Sequence, residues 1–175
     1  MKPIKEMTQL EIGAFVCSHL KAKAIEVVLS GGATVSLYSN NKYVSKDLDL
    51  VDVYSVNRRK LISAMNEIGF IEESRYFRHP DSIYIVEFPP GPLTVGDEIV
   101  SETREVKFST GSLKVISPTD CVKDRLAAYY HWGDKQSLSQ AILVARENKV
   151  DLEEIKRWSQ KEGKQKEFQS IAKNF

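Results

Sequence analysis

The chain has 175 residues, 42% of them apolar and 28% charged, with a formal net charge of +1 at pH 7. That length suits one domain, or one domain with a small helical appendage, and the apolar share is too high for a disordered chain. The near-neutral balance gives no whole-molecule field for nucleic acid or a membrane surface. No apolar run approaches a bilayer span, and MKPIKEMTQLEIG lacks a signal-peptide core. Cys17 and Cys121 have no metal-ligand spacing and read as small buried hydrophobes in a reducing compartment. A cytoplasmic protein with no membrane partner is the expectation.

In chain order, Leu10, Ala14, Cys17 and Leu20 recur at three- and four-residue steps, which predicts a helix over 8–23 with Thr8 as its cap. IEVVLS, 25–30, reads as a buried strand stopped by Gly31-Gly32, and ATVSLYS as a short helix entered through those glycines. SNNKY is turn chemistry, and DLDLVDVY, 47–54, alternates as a strand does. A helix follows over 58–68, capped by Ser55 or Asn57 and ended by Gly69. IEESRYFRH and SIYIVEF flank Pro80-Asp81 and propose a hairpin. FPPGPLTVGDE, 88–98, reads as a rigid loop, and REVKFST with SLKVIS as a second hairpin near Gly111. After Ser117-Pro118 the pattern turns helical, with three helices in succession. The organisation is thus an α/β part, 1–116, and a helical part, 117–175.

The chemistry concentrates in SGGATVSLYSNNKYVSKDLDLVDV. Asp47 and Asp49 are two apart on a strand, so both carboxylates project to one face, while Leu48 and Leu50 anchor the other. Two converging carboxylates repel unless a cation lies between them, and hard oxygen donors suit Mg²⁺ or Mn²⁺ bridged to phosphates. Asp52 has the opposite parity and takes a solvated or structural role. The competing reading is an acidic, solvent-facing strand. The glycines favour the metal: Gly31 and Gly32 let backbone amides approach a phosphate at a helix N-terminus, with Ser30 and Thr34 offering hydroxyls. Glu87 is the candidate third carboxylate, because SIYIVEF is otherwise apolar, aromatic or small. Its parity matches Ile83 and Ile85, and if those face the core, Glu87 reaches DLDL. An edge-strand glutamate is the plainer alternative.

VLSGGATVSLYSNNKYVSKDLDLV resembles the signature of the nucleotidyltransferase superfamily with the DNA polymerase β-like fold: strand, Gly-Gly turn, short helix, then Asp-x-Asp on the next strand. Within it, the segment is most similar to the branch that includes the AbiEii-type toxins of type IV toxin–antitoxin systems. Gly31, Gly32, Tyr38, Ser45, Lys46, Asp47 and Asp49 stand in the branch's motif positions, with Thr34 in place of an alanine. VISPTDCVKDRLAAYYHWGDKQSLSQAI resembles a further family segment through Ser117, Pro118 and Asp120. Arg125 stands there for the usual lysine, with Lys123 two residues before it, and Gln136 and Gln140 replace acidic residues. The resemblance covers residues 25–145.

The resemblance implies an α+β fold, a mixed β-sheet flanked by helices and followed by a helical part. It also implies transfer of a nucleoside monophosphate from an NTP, with Mg²⁺ or Mn²⁺ on Asp47, Asp49 and Glu87. Ser30, Gly31, Gly32, Thr34, Lys46, Lys123 and Arg125 would hold the nucleotide. The acceptor would be a hydroxyl of RNA, tRNA included, or of a protein, and a cognate antitoxin would be a partner. The second function class is a catalytically weak or inactive module that binds RNA or a protein. For it, KRWSQKEGKQKEFQSIAKNF interleaves basic residues with Trp158 and Phe168. A solvated helix and frayed tail is the plainer reading of that stretch.

Overall fold

A computed structural model describes residues 2–175. Helix α1 (Gln9–Ala22) opens with a full capping box: the Thr8 hydroxyl accepts from the Glu11 amide, and the Glu11 carboxylate accepts from the Thr8 amide. Strand β1 (Val27–Ser30) runs directly into α2 (Gly31–Tyr38), and β2 (Asp47–Asp52) returns beside β1. Helix α3 (Arg58–Asn66) starts on the Asn57 cap. Gly69 follows with φ 79, a left-handed conformation that costs glycine least.

The next strands are short: β3 (Ile71–Glu73), β4 (Tyr76–Arg78) and β5 (Ile85–Glu87). The tight turn falls at Ser74-Arg75, inside IEESRYFRH, with Ser74 at φ 61. The stretch around Pro80-Asp81 lies in the wider loop of the expected hairpin, since β4 and β5 pair antiparallel on either side of it. The 88–98 loop carries half of a small separate hairpin, β6 (Thr94–Val95) with β7 (Glu98–Ile99). Strands β8 (Thr103–Phe108) and β9 (Gly111–Ile116) form the second expected hairpin.

Seven strands make one sheet in the order β3-β4-β5-β2-β1-β9-β8. It is mixed, since β2–β5 and β1–β9 pair parallel and the rest antiparallel. Phe77, Val86 and Leu48 lie directly opposite one another across β4, β5 and β2, and all three are fully buried. Leu50, Leu29 and Val115 continue that apolar surface across β1 and β9. Helix α1 packs on it: a side chain at Gly13 would meet Leu48 and Leu113 at 3.3 Å.

Helices α4 (Pro118–Trp132), α5 (Lys135–Glu147), α6 (Leu152–Lys161) and α7 (Gln165–Ile171) follow the last strand. The C-terminal stretch is packed rather than frayed. Trp158 is fully buried, and Phe168 and Ile171 are buried too. None of the described helices is long and apolar enough to cross a membrane.

Candidate active site

The opposite face of the sheet carries the polar residues. Ser30 pairs with Asp49, Asp49 with Glu87, and Glu87 with Tyr76. Residues directly opposite in a ladder project to the same side, so these four form one transverse row over β1, β2, β5 and β4. Asp47 is one step along the same face, paired with Ile85. Glu87, far from Asp47 and Asp49 in sequence, is thus their neighbour on one surface.

Glu87 arrives there by a different route from the one its sequence parity suggested. Ile83 is exposed, and β5 begins only at Ile85. Val86 and Phe88 face the core instead, which turns Glu87 to the carboxylate side. Asp52 lies on the buried face and is structural. Its carboxylate accepts from the amides of Tyr54 at 3.0 Å and Val56 at 2.5 Å, closing the turn after β2.

Asp49 sits against the entry to α2. Gly31 has φ 66, and an added Cβ there would lie 2.0 Å from Asp49 Oδ2. The missing side chain is the space the carboxylate fills. Ser30 is the N-cap of α2, yet its hydroxyl makes no capping bond. At Gly32 an added Cβ would meet Ser45 Oγ at 3.2 Å. Gly31→Ala is therefore expected to push the Asp49 carboxylate out of place. Strain at a positive φ adds about 1–3 kcal/mol of destabilisation. A thermal melt checks this, with a lower Tm as the result.

Burial, above all, pushes the Asp49 carboxyl up to about 6; the charge of Glu87 adds to this, Arg125 opposes it, and Asp124 and Asp47 add smaller repulsions. An acid so placed is short of positive charge. Arg125, mostly enclosed, supplies part of it from α4. Its guanidinium donates to Asp124 Oδ2 at 2.6 and 3.1 Å and reaches Gln140 Oε1 at 3.5 Å. Gln140, the neutral residue where the resemblance expects an acid, is thus the weaker partner of Arg125 and Asp124 the stronger. Gln136 is exposed on the first turn of α5.

Two expected nucleotide ligands lie elsewhere. Thr34 is fully buried, donating to Gly31 O at 2.6 Å and touching Cys121 Sγ at 3.1 Å. It fastens α2 to α4 and presents nothing to a ligand. Lys123 is two residues from Arg125, about 200° around the helix, and points the other way. It is buried among Asp120 at 3.2 Å, Glu154 at 3.1 Å and Glu98 at 3.7 Å. Lys46 is exposed beside Asp47 and makes no ion pair among the described residues. Sequence reasoning missed Arg75, whose Nε lies 3.3 Å from Glu87 Oε1.

Among the described residues, no group of three His, Cys, Asp or Glu side chains is disposed to hold a metal ion as the side chains stand. The donors still suit a divalent cation that arrives with phosphates, which needs only one or two protein carboxylates. Asp47 and Asp49 supply these, and the cradle at Gly31 holds Asp49 toward the α2 entry.

No protein-family model matches the chain, and no curated protein matches it. Solved structures do. An antigenic nucleotidyltransferase-like protein from Paracoccidioides brasiliensis aligns over 78% of this chain and 75% of its own, at 18% identity and a TM-score of 0.58. The solution structure of the antibiotic-resistance factor ANT(2'')-Ia aligns over 89% of this chain and 88% of its own, at 11% identity and a TM-score of 0.54. At such identities the likeness is one of fold. The chain has the α+β fold of nucleotidyltransferase-like proteins, with its carboxylate row on the central strands of the sheet.

Proposed function

We propose that the protein is a metal-dependent nucleotidyltransferase, moving a nucleoside monophosphate from an NTP to an acceptor hydroxyl with release of pyrophosphate. The observation that carries this is the row of Ser30, Asp49 and Glu87, with Asp47 beside it, at the mouth of the Gly31-Gly32 turn. Asp47 and Asp49 would hold a divalent cation, which would supply neutralisation of the triphosphate charge. The amides of Gly31 and Gly32 and the free Ser30 hydroxyl bind phosphate oxygens at the start of α2. Arg125 balances charge behind Asp49, and Lys46 meets phosphate from the solvent side. Glu87 would join Asp47 and Asp49 in holding the cation, and the acceptor hydroxyl attacks the α-phosphorus in line as its proton passes to solvent water and pyrophosphate leaves. Catalysis here is positioning and electrostatics.

The test is direct. With an α-labelled NTP and Mg²⁺, label is expected to pass to acceptor material, and Asp47→Ala with Asp49→Ala to abolish both transfer and Mg²⁺-dependent NTP binding. Undiminished binding in that variant would overturn the site. The acceptor implied by the toxin-like branch, an RNA (tRNA included) or protein hydroxyl, rests on the resemblance over residues 31–49, as does a cognate antitoxin.

The placement of the two α4 cations makes a second test. Arg125→Met is expected to weaken NTP binding by about tenfold, one charge-assisted interaction. Lys123→Met, which keeps the buried stem, should leave it unchanged. Isothermal titration on the folded proteins separates them, and equal losses would place Lys123 in the site after all.

A further inference from the structure

Arg75 follows Ser74 at the tip of the β3–β4 hairpin, at the outer end of the carboxylate row. Besides its contact with Glu87, it donates to the Tyr76 hydroxyl at 2.6 Å, and its guanidinium carbon lies 4.8 Å from the centre of the Tyr76 ring. Tyr76 and Glu87 are register partners, so together they form a seat for this guanidinium. The Arg75 side chain is 69% exposed and Glu87 only 22%. The arrangement joins an exposed cation to a largely enclosed anion. Asp47 adds to the field that holds the charge on Arg75.

A guanidinium among carboxylates meets the same electrostatic need as a divalent ion. It cannot share Glu87 with one, because the metal and the Nε–H seek the same lone pairs. Exposed ion pairs are weak and easily exchanged. Once released from Glu87, Arg75 faces the anion nearest the cluster, the triphosphate of the incoming nucleotide. Its planar fork matches phosphate oxygens in pairs.

We propose that Arg75 is a further phosphate-contacting residue of this site: it holds Glu87 in the free protein, and transfers to the nucleotide when a divalent cation takes Glu87. This rests on the nucleotidyltransferase reading. It explains why the third carboxylate stands ready on the row without completing a three-carboxylate metal site. No bond is made or broken in the exchange, only an ion pair replaced.

Two binding measurements on Arg75→Gln, a substitution at an exposed tip, test the two halves. Calorimetric titration with Mn²⁺ alone should show roughly two- to fivefold tighter binding than wild type, since the competitor is gone. With Mn²⁺ saturating, a non-hydrolysable NTP analogue should bind roughly tenfold more weakly, and Arg75→Lys should recover part of that loss. In wild type, the Arg75 Nε–H resonance should move when diamagnetic Mg²⁺ is added. Unchanged Mn²⁺ affinity, or unchanged analogue affinity, overturns the proposal while leaving the nucleotidyltransferase reading intact. A wild-type protein that binds neither Mn²⁺ nor the analogue overturns both.

Discussion

Asp49→Asn is expected to inactivate the protein and to make it more stable. The carboxyl is enclosed beside Gly31 with Glu87 and Asp47 as neighbours, and its pKa rises from 3.8 to about 6. Because the folded value lies above the unfolded one, the ionised form opposes folding. The free protein therefore gains stability from this group as pH falls from above 6 to below 3.8, and carries the full penalty at neutral pH. The two values correspond to about 2–3 kcal/mol at most. Asparagine keeps the shape and removes the charge. In urea unfolding at pH 7.5 the variant should be the more stable by about 1–3 kcal/mol, with the gap closing toward pH 4. Nucleotidyl transfer should fall by about 10²–10³ or more, as when a preorganised charge-stabilising group is removed. A variant less stable than wild type at pH 7.5 would mean that Asp49 is a structural carboxylate. The opposed signs are a hallmark of a residue kept for chemistry.

Trp158→Ala should have the largest effect on stability, about 3–5 kcal/mol. The indole is fully buried, stacks on Tyr130 with ring centres 5.9 Å apart and planes 23° from parallel, and donates from Nε1 to Val95 O at 3.2 Å. Lys123 lies 6.0 Å from the ring centre. The substitution opens a cavity where α4, α6 and the β6–β7 hairpin meet, and leaves the Val95 carbonyl without its donor. Against a typical domain stability of about 5–15 kcal/mol, that is a large share. Urea unfolding followed by both tryptophan fluorescence and far-ultraviolet dichroism should show one shifted transition. A loss below about 1 kcal/mol would contradict the packing. The same burial weakens the RNA-module reading, since neither Trp158 nor Phe168 is free to stack on a base. Deleting residues 156–175 would remove core, so a gel shift lost with that deletion would report unfolding.

The sheet face of Asp47 and Asp49 was legible because strand alternation between charged and branched apolar residues is a strong, local signal. The parity of Glu87 with Ile83 and Ile85 is a weak guide, since SIYIVEF becomes strand only in its last half and Ile83 lies outside it. The place of Glu87 depends on the register of β5 against β2, a pairing between distant segments that periodicity does not encode. Arg75 was hidden by the position of the turn. With the break assigned to Pro80-Asp81, Ser74 and Arg75 read as mid-strand. The alternative signal was Glu-Glu-Ser-Arg, a polar run inside the first strand. Thr34 and Lys123 are near the site in sequence, but direction on a helix decides what each side chain meets. Thr34 turns back onto Gly31, and Lys123 is half a turn away from Arg125. The β6–β7 hairpin escaped because two-residue strands leave no alternation to detect.

The row from Ser30 to Tyr76 draws one residue from each of four strands, and no two of those positions are close in the chain. A slip of β5 by one residue would turn Glu87 inward and bring Val86 or Phe88 to the surface in its place. Any ligand that bridges the row therefore recognises correct pairing as much as it recognises side chains. Its binding energy falls only on the in-register sheet and deepens that minimum relative to every slipped one. A nucleotide bound across the row, as proposed, would in this sense also proofread the β2–β5 junction, a parallel contact that is among the last a chain can form by local search.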